Sequence, residues 1–148
     1  MTDNKDDLLK KRYLPDEERL KKIIKESNVK ELNAYAEELG NGLRYELLIE
    51  EEDNRTGKTK QRKEKELTTS QIRTVLDEIQ RMHKFDENKL QLLRPKLAYA
   101  AGRHGGRVRE FQLIVDKAIL MVTNDNEFQN FKNFIEAIVA YHRYHGGE

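Results

Sequence analysis

The clearest structural signal in the chain is LTTSQIRTVLDEIQRM, residues 67–82. If Thr68 caps a helix, Gln71 falls at the third helical position, where the two residues complete a capping box. Leu67 and Ile72 then occupy the two positions of a hydrophobic staple. Apolar residues continue at helical spacing for three turns, at Ile72, Val75, Leu76, Ile79 and Met82. The stretch therefore predicts an amphipathic helix with one side facing a core.

Helical spacing of apolar residues continues on the C-terminal side of this stretch. The apolar residues between positions 90 and 101 predict a helix that begins or kinks at Pro95 and ends in the glycines of residues 102–106. The group at 111–122 has a wide apolar face, typical of a central helix, and the group at 128–141 predicts the last helix. The phenylalanines expected in the core are Phe111, Phe128, Phe131 and Phe134.

Similar patterns lie on the N-terminal side. Residues 1–13 are predicted to be frayed, and a first helix begins near Pro15, which fits a first turn because it lacks an N–H group. A second helix restarts around Asn28, and Gly40 is expected to end it. Together these patterns predict an all-α fold, a compact bundle of about five to six helices.

The chain is expected to form one helical domain over residues 1–148. Residues 1–66 hold the N-terminal helices and a charged loop, and residues 67–148 hold the main bundle. The loop covers residues 50–66, which lack apolar residues altogether and predict a mobile loop or a solvated helix end. Residues 43–49 alternate in a way that fits either a strand or the continuation of a helix, and both interpretations stay open.

Composition limits the classes of protein to which the chain can belong. Its 28 Lys and Arg residues nearly balance its 27 Asp and Glu residues, so a nucleic-acid surface must come from the distribution of charge. The absence of cysteine excludes disulfides, thiol nucleophiles and Cys-based zinc sites. No apolar run approaches a membrane span and the N-terminus is unlike a signal peptide, so we expect a cytoplasmic protein.

Residues 88–109 contain no acidic residue, although the whole chain is nearly neutral. Tyr99 and three glycines share this window; glycines let a backbone approach phosphate, and arginines bind phosphate through two N–H groups. The window therefore predicts a face that contacts nucleic-acid phosphates. The alternative is that its cations pair with acids elsewhere, such as Glu78 or Asp86. The basic side chains are Lys89, Arg94, Lys96, Arg103, His104, Arg107 and Arg109.

The start of the helix after Thr68 is a second candidate site for an anion. Free backbone N–H groups and the positive end of the helix dipole favour negative charge there, and Ser70, Gln71 and Arg73 project from the first turn. The alternative is that Thr68 and Gln71 simply cap one another. A further basic run at residues 55–65 has acids on both flanks, which is more typical of a solvated face.

The motifs of the chain predict neither catalysis nor a cofactor or metal. TGKT at residues 56–59 imitates the end of a phosphate-binding loop, but the position of the required earlier glycine is Glu52. His142 and His145 lie three residues apart, and an exposed, frayed chain end explains them better than a metal site does. Because no nucleophile with a base and no distinctive carboxylate pair stands out, we expect no enzyme.

Three sequence segments resemble those of a known family. They are LTTSQIR at residues 67–73, RPKLAYAAGR at residues 94–103 and FIEAIVAYH at residues 134–142. Their order and spacing resemble the small helical subunit of type III-A (Csm) CRISPR–Cas effector complexes, over about the last 80 residues. The resemblance implies an all-α bundle, present in more than one copy and stacked along the guide RNA and its paired target.

The resemblance also implies how such a subunit works. It contacts phosphates and riboses of guide RNA and target RNA, while base pairing supplies sequence recognition and other subunits supply cleavage. The implied partners are the backbone and large subunits of the complex. The polar positions that match the family are Thr69, Ser70, Gln71, Arg73, Lys96, Tyr99 and Arg103. The wide apolar helices also favour self-association, with a homodimer as one form.

The sequence therefore predicts a non-catalytic, RNA-binding structural subunit in antiviral defence. The candidate RNA-binding residues combine the family positions with the basic window. Two alternatives stay open. In the first, the chain is a structural adaptor whose basic window pairs with an acidic protein; in the second, it is a helical regulator that binds duplex DNA.

Overall fold

The computed structural model describes residues 11–148, which are mainly helical. This part of the chain contains α1 (Glu17–Ile24), α2 (Val29–Leu43), β1 (Leu47–Glu52), β2 (Thr59–Glu64), a 3₁₀-helix (Thr69–Ile72), α3 (Arg73–Arg81), α4 (Glu87–His104), α5 (Val108–Met121) and α6 (Asp125–Tyr144). The predicted helical bundle is confirmed, but the prediction of an all-α fold is wrong because a two-stranded sheet is present. None of the described helices has the length and apolarity needed to cross a membrane.

A β-hairpin occupies most of residues 50–66, which the sequence predicts to be a loop or a helix end, and β1 begins at Leu47, inside the stretch for which a strand was one of two open interpretations. β1 and β2 are antiparallel, with Leu47 opposite Glu64, and Gly57 at the tip has a φ of +67°. The early acids and later bases of this segment face each other across the ladder, where Arg62 lies 3.2 Å from Glu51. The strand pattern is invisible in the sequence because β2 carries no apolar residue that could alternate.

Side-chain caps fix where four of the helices begin. In each case an Asx oxygen accepts a hydrogen bond from the N–H three residues later, which satisfies a donor that the first turn leaves unpaired. The capping residues are Asp16 for α1, Asn28 for α2, Asp86 for α4 and Asn124 for α6. The predicted helix starts near Pro15 and Asn28 are confirmed.

The main packing between elements joins α2 to α6, and Gly40 makes it possible. The prediction that Gly40 ends the helix is wrong, since α2 continues to Leu43. A β-carbon at Gly40 would lie 2.6 Å from the backbone nitrogen of His142 and 2.7 Å from the carbonyl oxygen of Ile138, both in α6. The glycine therefore allows close approach of two helices.

One buried core draws on both halves of the chain. Leu20 and Ile23 of α1 and Leu39 of α2 join the core of the C-terminal helices. The four phenylalanines predicted to be core residues are all 1% exposed or less. The ring of Tyr35 in α2 stacks on that of Phe134 in α6, with centroids 5.6 Å apart. The N-terminal helices thus share the same hydrophobic interior as the main bundle.

The chain reverses direction between α4 and α5 through two glycines. Gly105 and Gly106 have φ values of +60° and +56°, a region that favours glycine. Pro95 lies inside α4 and does not begin it, because the helix starts eight residues earlier at Glu87. The predicted end at the glycines is confirmed. Since α4 and α5 pack together, this reversal places the end of α4 at the molecular surface beside the 3₁₀-helix.

The prediction that residues 1–13 are frayed falls largely on residues 1–10, which lie outside the described residues. Residues 11–13 contradict it. Tyr13 is only 4% exposed, and its N–H donates to Oε1 of Glu110 at 2.8 Å. The carbonyl oxygen of Lys11 accepts a hydrogen bond from Nη2 of Arg107 at 2.7 Å. The segment before α1 is therefore attached to the start of α5.

Candidate nucleic-acid interface

A groove of about 540 Å³ lies between the 3₁₀-helix with the first turn of α3 and the C-terminal half of α4. Its lining includes three buried apolar side chains, Ile72, Val75 and Ala100, which are at most 8% exposed. The other lining residues are Ser70, Gln71, Thr74, Pro95, Lys96, Tyr99, Arg103 and His104. The groove thus gathers polar residues from two segments that lie far apart in the sequence.

The 3₁₀-helix presents Ser70 and Gln71 to the groove through the predicted capping box, which is confirmed. The N–H of Thr68 donates to Oε1 of Gln71 at 2.9 Å, which fixes the glutamine side chain and leaves its NH₂ group as a donor. The hydroxyl oxygens of Thr68 and Ser70 lie 3.1 Å apart. Leu67 and Ile72, predicted to be the staple, are both buried.

On the α4 side of the groove, helical spacing explains which residues line the wall. Lys96, Tyr99 and Arg103 lie three and four residues apart, so they share one face of the helix. Tyr99 is 69% exposed although it is a large aromatic residue, and Arg103 and His104 are exposed. Neither Arg103 nor His104 forms an ion pair with any residue between 11 and 148.

Two predicted cations of α4 are already paired. Nζ of Lys96 lies 2.6 Å from Oε1 of Glu78, which is the pairing that the alternative interpretation of the basic window named. Nε of Arg94 lies 2.7 Å from Oδ1 of Asp116 in α5, and this hydrogen bond raises the pKa of Arg94. Arg94 therefore faces α5 and does not line the groove, whereas Lys96 lines it as half of an ion pair.

Arg107 is fully buried, which corrects its prediction as an RNA-binding residue. Its guanidinium pairs with Glu110 at 2.8 Å and also donates to the carbonyl oxygens of Gly42 at 2.8 Å, Tyr45 at 3.3 Å and Lys11 at 2.7 Å. All of these partners are internal, and burial of an arginine requires such pairing. Arg107 therefore joins three segments of the chain and is not available to a ligand.

Three more predicted residues lie outside the groove. Arg73 begins α3 and Arg109 is the second residue of α5, and both are exposed without an ion pair inside residues 11–148. The N–H and the hydroxyl of Thr69 both donate to the carbonyl oxygen of Glu148, at 3.1 and 2.7 Å. Thr69 is therefore hydrogen-bonded to Glu148, and its N–H group is not free to bind an anion.

The structure brings together six of the eleven predicted residues. They are Ser70, Gln71, Lys96, Tyr99, Arg103 and His104. Sequence reasoning missed Thr74, Pro95 and Ala100 as lining residues and treated Ile72 and Val75 only as core. A signal existed for Thr74, which lies four residues after Ser70 and hence on the same side of the helix. Ala100 carries no such signal because its role depends on how α4 packs.

The two C-terminal histidines contradict the prediction of an exposed, frayed end. His142 is 2% exposed, and its Nε2–H donates to the carbonyl oxygen of Leu67 at 2.8 Å. Burial lowers the pKa of His142, which opposes protonation. Nε2 of His145 lies 3.1 Å from Oε2 of Glu37. Across residues 11–148, no three potential metal ligands of the His, Cys, Asp or Glu type lie together.

Comparisons with known proteins agree on one family. The family model described as Csm2 Type III-A matches residues 43–148, a region that includes the hairpin, the groove and the three sequence segments that carry the resemblance. The "CRISPR system Cms protein Csm2" of Streptococcus thermophilus is 32% identical over 93 residues, which cover 55% of this chain and 75% of that protein. No solved structure matches the chain.

Proposed function

Since this chain belongs to the Csm2 family of type III-A CRISPR systems, we propose that it binds the sugar-phosphate backbone of RNA through the groove between the 3₁₀-helix and α4. Family membership makes the chain a small structural subunit of a type III-A CRISPR complex, associated with other Csm subunits. The proposed ligands are the guide RNA and its target, and the proposed role involves no catalytic step by this chain.

The observation that supports RNA binding is the combination of groups around the groove. Arg103 lacks an ion-pair partner within residues 11–148, so the charge of its guanidinium is not neutralised inside the described protein, and His104 beside it also has no ion pair there. The Ser70 hydroxyl and the Gln71 NH₂ group lie on the opposite wall and are neutral donors. A ribose-phosphate chain presents oxygen acceptors along its length, and it therefore complements a groove with donors on both walls.

The proposed mechanism is electrostatic and independent of base identity. An arginine that contacts a phosphate releases condensed counterions, and this release provides most of the free energy of non-specific binding. Few unpaired cations line the groove, so one copy is expected to bind RNA weakly. Several copies stacked along one RNA would bind more tightly because each bound copy raises the effective concentration of the next contact.

The test compares RNA affinity with assembly in a reconstituted type III-A complex. Arg103→Ala should lower affinity for two unrelated RNA sequences by similar factors while the complex still forms on gel filtration. Lys22→Ala is the matched control, since it removes the same charge from an exposed position of α1 that does not line the groove. A loss confined to one RNA sequence would contradict backbone recognition, because backbone contacts do not distinguish bases.

A protein–protein adaptor is a second candidate, and one observation favours it. Leu92 and Tyr99 are 59% and 69% exposed and lie seven residues apart, so they form an apolar strip along α4. Such a strip suits a neighbouring subunit as well as a nucleic acid. The adaptor predicts that Arg103→Ala disrupts assembly and leaves the affinity of assembled complexes for RNA unchanged.

A further inference from the structure

The shape of the groove goes beyond what phosphate binding requires. Phosphate contacts need donors at a surface, and an apolar depression adds nothing to them. Here the lining includes the buried side chains Ile72, Val75 and Ala100, and the exposed ring of Tyr99 also borders the cavity. A volume of about 540 Å³ lies within the range of sites that hold small organic molecules.

We infer that the groove takes one unpaired nucleobase of the RNA strand, stacked on the Tyr99 ring, while Arg103 and His104 contact the adjoining phosphate. This inference rests on the proposed RNA binding and names the part of the RNA that enters the groove. Every base has a flat π-face, so stacking on tyrosine accepts any sequence. It is therefore compatible with recognition that ignores base identity.

Charge decides between a nucleotide and an apolar peptide as the occupant. A peptide side chain would suit the apolar lining, but it would leave the Arg103 guanidinium at the rim without an anion. A nucleotide carries a flat base and a phosphate on the same unit, which matches an apolar floor beside the Arg103 guanidinium, which has no ion pair among the described residues. Ser70 and Gln71 on the other wall can donate to the base or ribose without selecting a sequence.

Base pairing limits which RNA can bind in this way. A base inside an A-form duplex is stacked between neighbours and is not accessible to a side chain. The groove should therefore engage single-stranded RNA, or a base displaced from an otherwise paired strand. An intact duplex should contact only the polar groups at the rim of the groove.

The test uses the full chain with a short single-stranded RNA that carries one 2-aminopurine, whose fluorescence falls when it stacks on an aromatic ring. Binding should quench the probe with the wild-type protein and with Tyr99→Phe, which keeps the ring. Tyr99→Ala should abolish the quenching and weaken binding about ten-fold, as expected for loss of one stacking contact. Tyr144→Ala, which removes another exposed tyrosine that lies outside the groove, should behave like the wild type.

Two comparisons separate this inference from the proposed function. An RNA with abasic sites should bind the wild type about ten-fold more weakly than the intact RNA, and Arg103→Ala should weaken both. If abasic and intact RNA bind equally and Tyr99→Ala changes nothing, the base site is refuted while phosphate binding stands. If Tyr99→Ala impairs complex assembly and leaves quenching intact, the groove holds a protein segment and the inference fails. If Arg103→Ala changes the RNA affinity of neither the isolated chain nor the complex that contains it, the proposed function itself fails.

Discussion

Arg107 and Arg103 lie four residues apart in the same acid-free window, yet they have opposite environments. Arg103 is exposed at the rim of the groove, whereas Arg107 is fully buried among carbonyl oxygens and Glu110. The carboxylate of Glu110 also accepts the N–H of Tyr13. A buried charge that satisfies this many partners stabilises the tertiary structure around it, because each partner would otherwise be left unpaired.

Arg107→Ala should therefore destabilise the protein strongly. The variant leaves the Glu110 carboxylate buried without its counter-charge, which typically costs about 3–5 kcal/mol. Urea denaturation followed by circular dichroism measures the change in the free energy of unfolding. Arg109→Ala is the matched control, because this exposed neighbour has no ion pair among the described residues and should change stability by less than about 0.5 kcal/mol. Equal effects of the two variants would contradict the assigned role of Arg107.

His142 should make stability depend on pH. Burial lowers its pKa in the folded protein, so the unfolded chain binds the proton more readily. Stability should therefore fall as pH drops below about 6.5, the ordinary pKa of histidine in an unfolded chain. His142→Gln, which can still donate to the carbonyl of Leu67, should flatten this dependence between pH 7.5 and 5.5 in urea titrations. His83→Gln, which removes an exposed histidine, is the control; parallel slopes for all three proteins would rule out His142 as the cause.

At the scale of the elements, two glycines of α2 allow close contacts, and one of these contacts is with α6. Gly40 meets the backbone of α6, and Gly42 meets the ring of Tyr13. Helices in contact normally stay apart by the size of their side chains, so a glycine at the crossing permits a closer approach. The position of α6 in turn places His142 against the carbonyl of Leu67, immediately before the 3₁₀-helix of the groove.

Gly40→Ala and Gly102→Ala should have opposite effects. The added methyl at position 40 would clash with backbone atoms of α6 at 2.6 and 2.7 Å, which cannot rotate away, and should destabilise by about 1–3 kcal/mol. At position 102, an exposed site within α4, a β-carbon meets nothing within 4 Å, and alanine should stabilise by about 0.4–1 kcal/mol. Thermal unfolding of both variants measures the difference. Stabilisation by Gly40→Ala would show that the helices are not in close contact.

The sequence predicts those secondary-structure features that depend on residues close together in the chain. The capping box at Thr68 and Gln71 and the helix starts at Pro15 and Asn28 depend on neighbours within one turn, and all of them are present. A strand was one of two interpretations of residues 43–49, where β1 begins, but β2 was not predicted, because its polarity resembles that of a solvated loop and its pairing with β1 is not a local property. Gly40 was misinterpreted for the same reason, since a helix stop and a close helix contact both favour glycine.

At the scale of the whole molecule, the asymmetric distribution of charge predicts a basic region, but it does not show which cations lack an ion-pair partner. The sequence places the candidate cations in one window, and the fold gives them different environments. Lys96 pairs with Glu78, Arg94 pairs with Asp116, and Arg103 has no ion pair among the described residues. These environments depend on the packing of α4 against α3 and α5, which sequence spacing alone does not determine. Glu110, three residues after Arg107, was the one local hint that Arg107 is internally paired.

The salt dependence of RNA binding tests most directly whether the groove contacts RNA phosphates. The full chain is titrated with single-stranded RNA at several salt concentrations, and the logarithm of the binding constant is plotted against that of the salt concentration. Arg103→Ala should make the slope shallower by about 0.7, the value for one phosphate contact on a single strand, and Lys22→Ala should leave it unchanged. A slope that Arg103→Ala does not alter would contradict the contact between this groove and the RNA backbone.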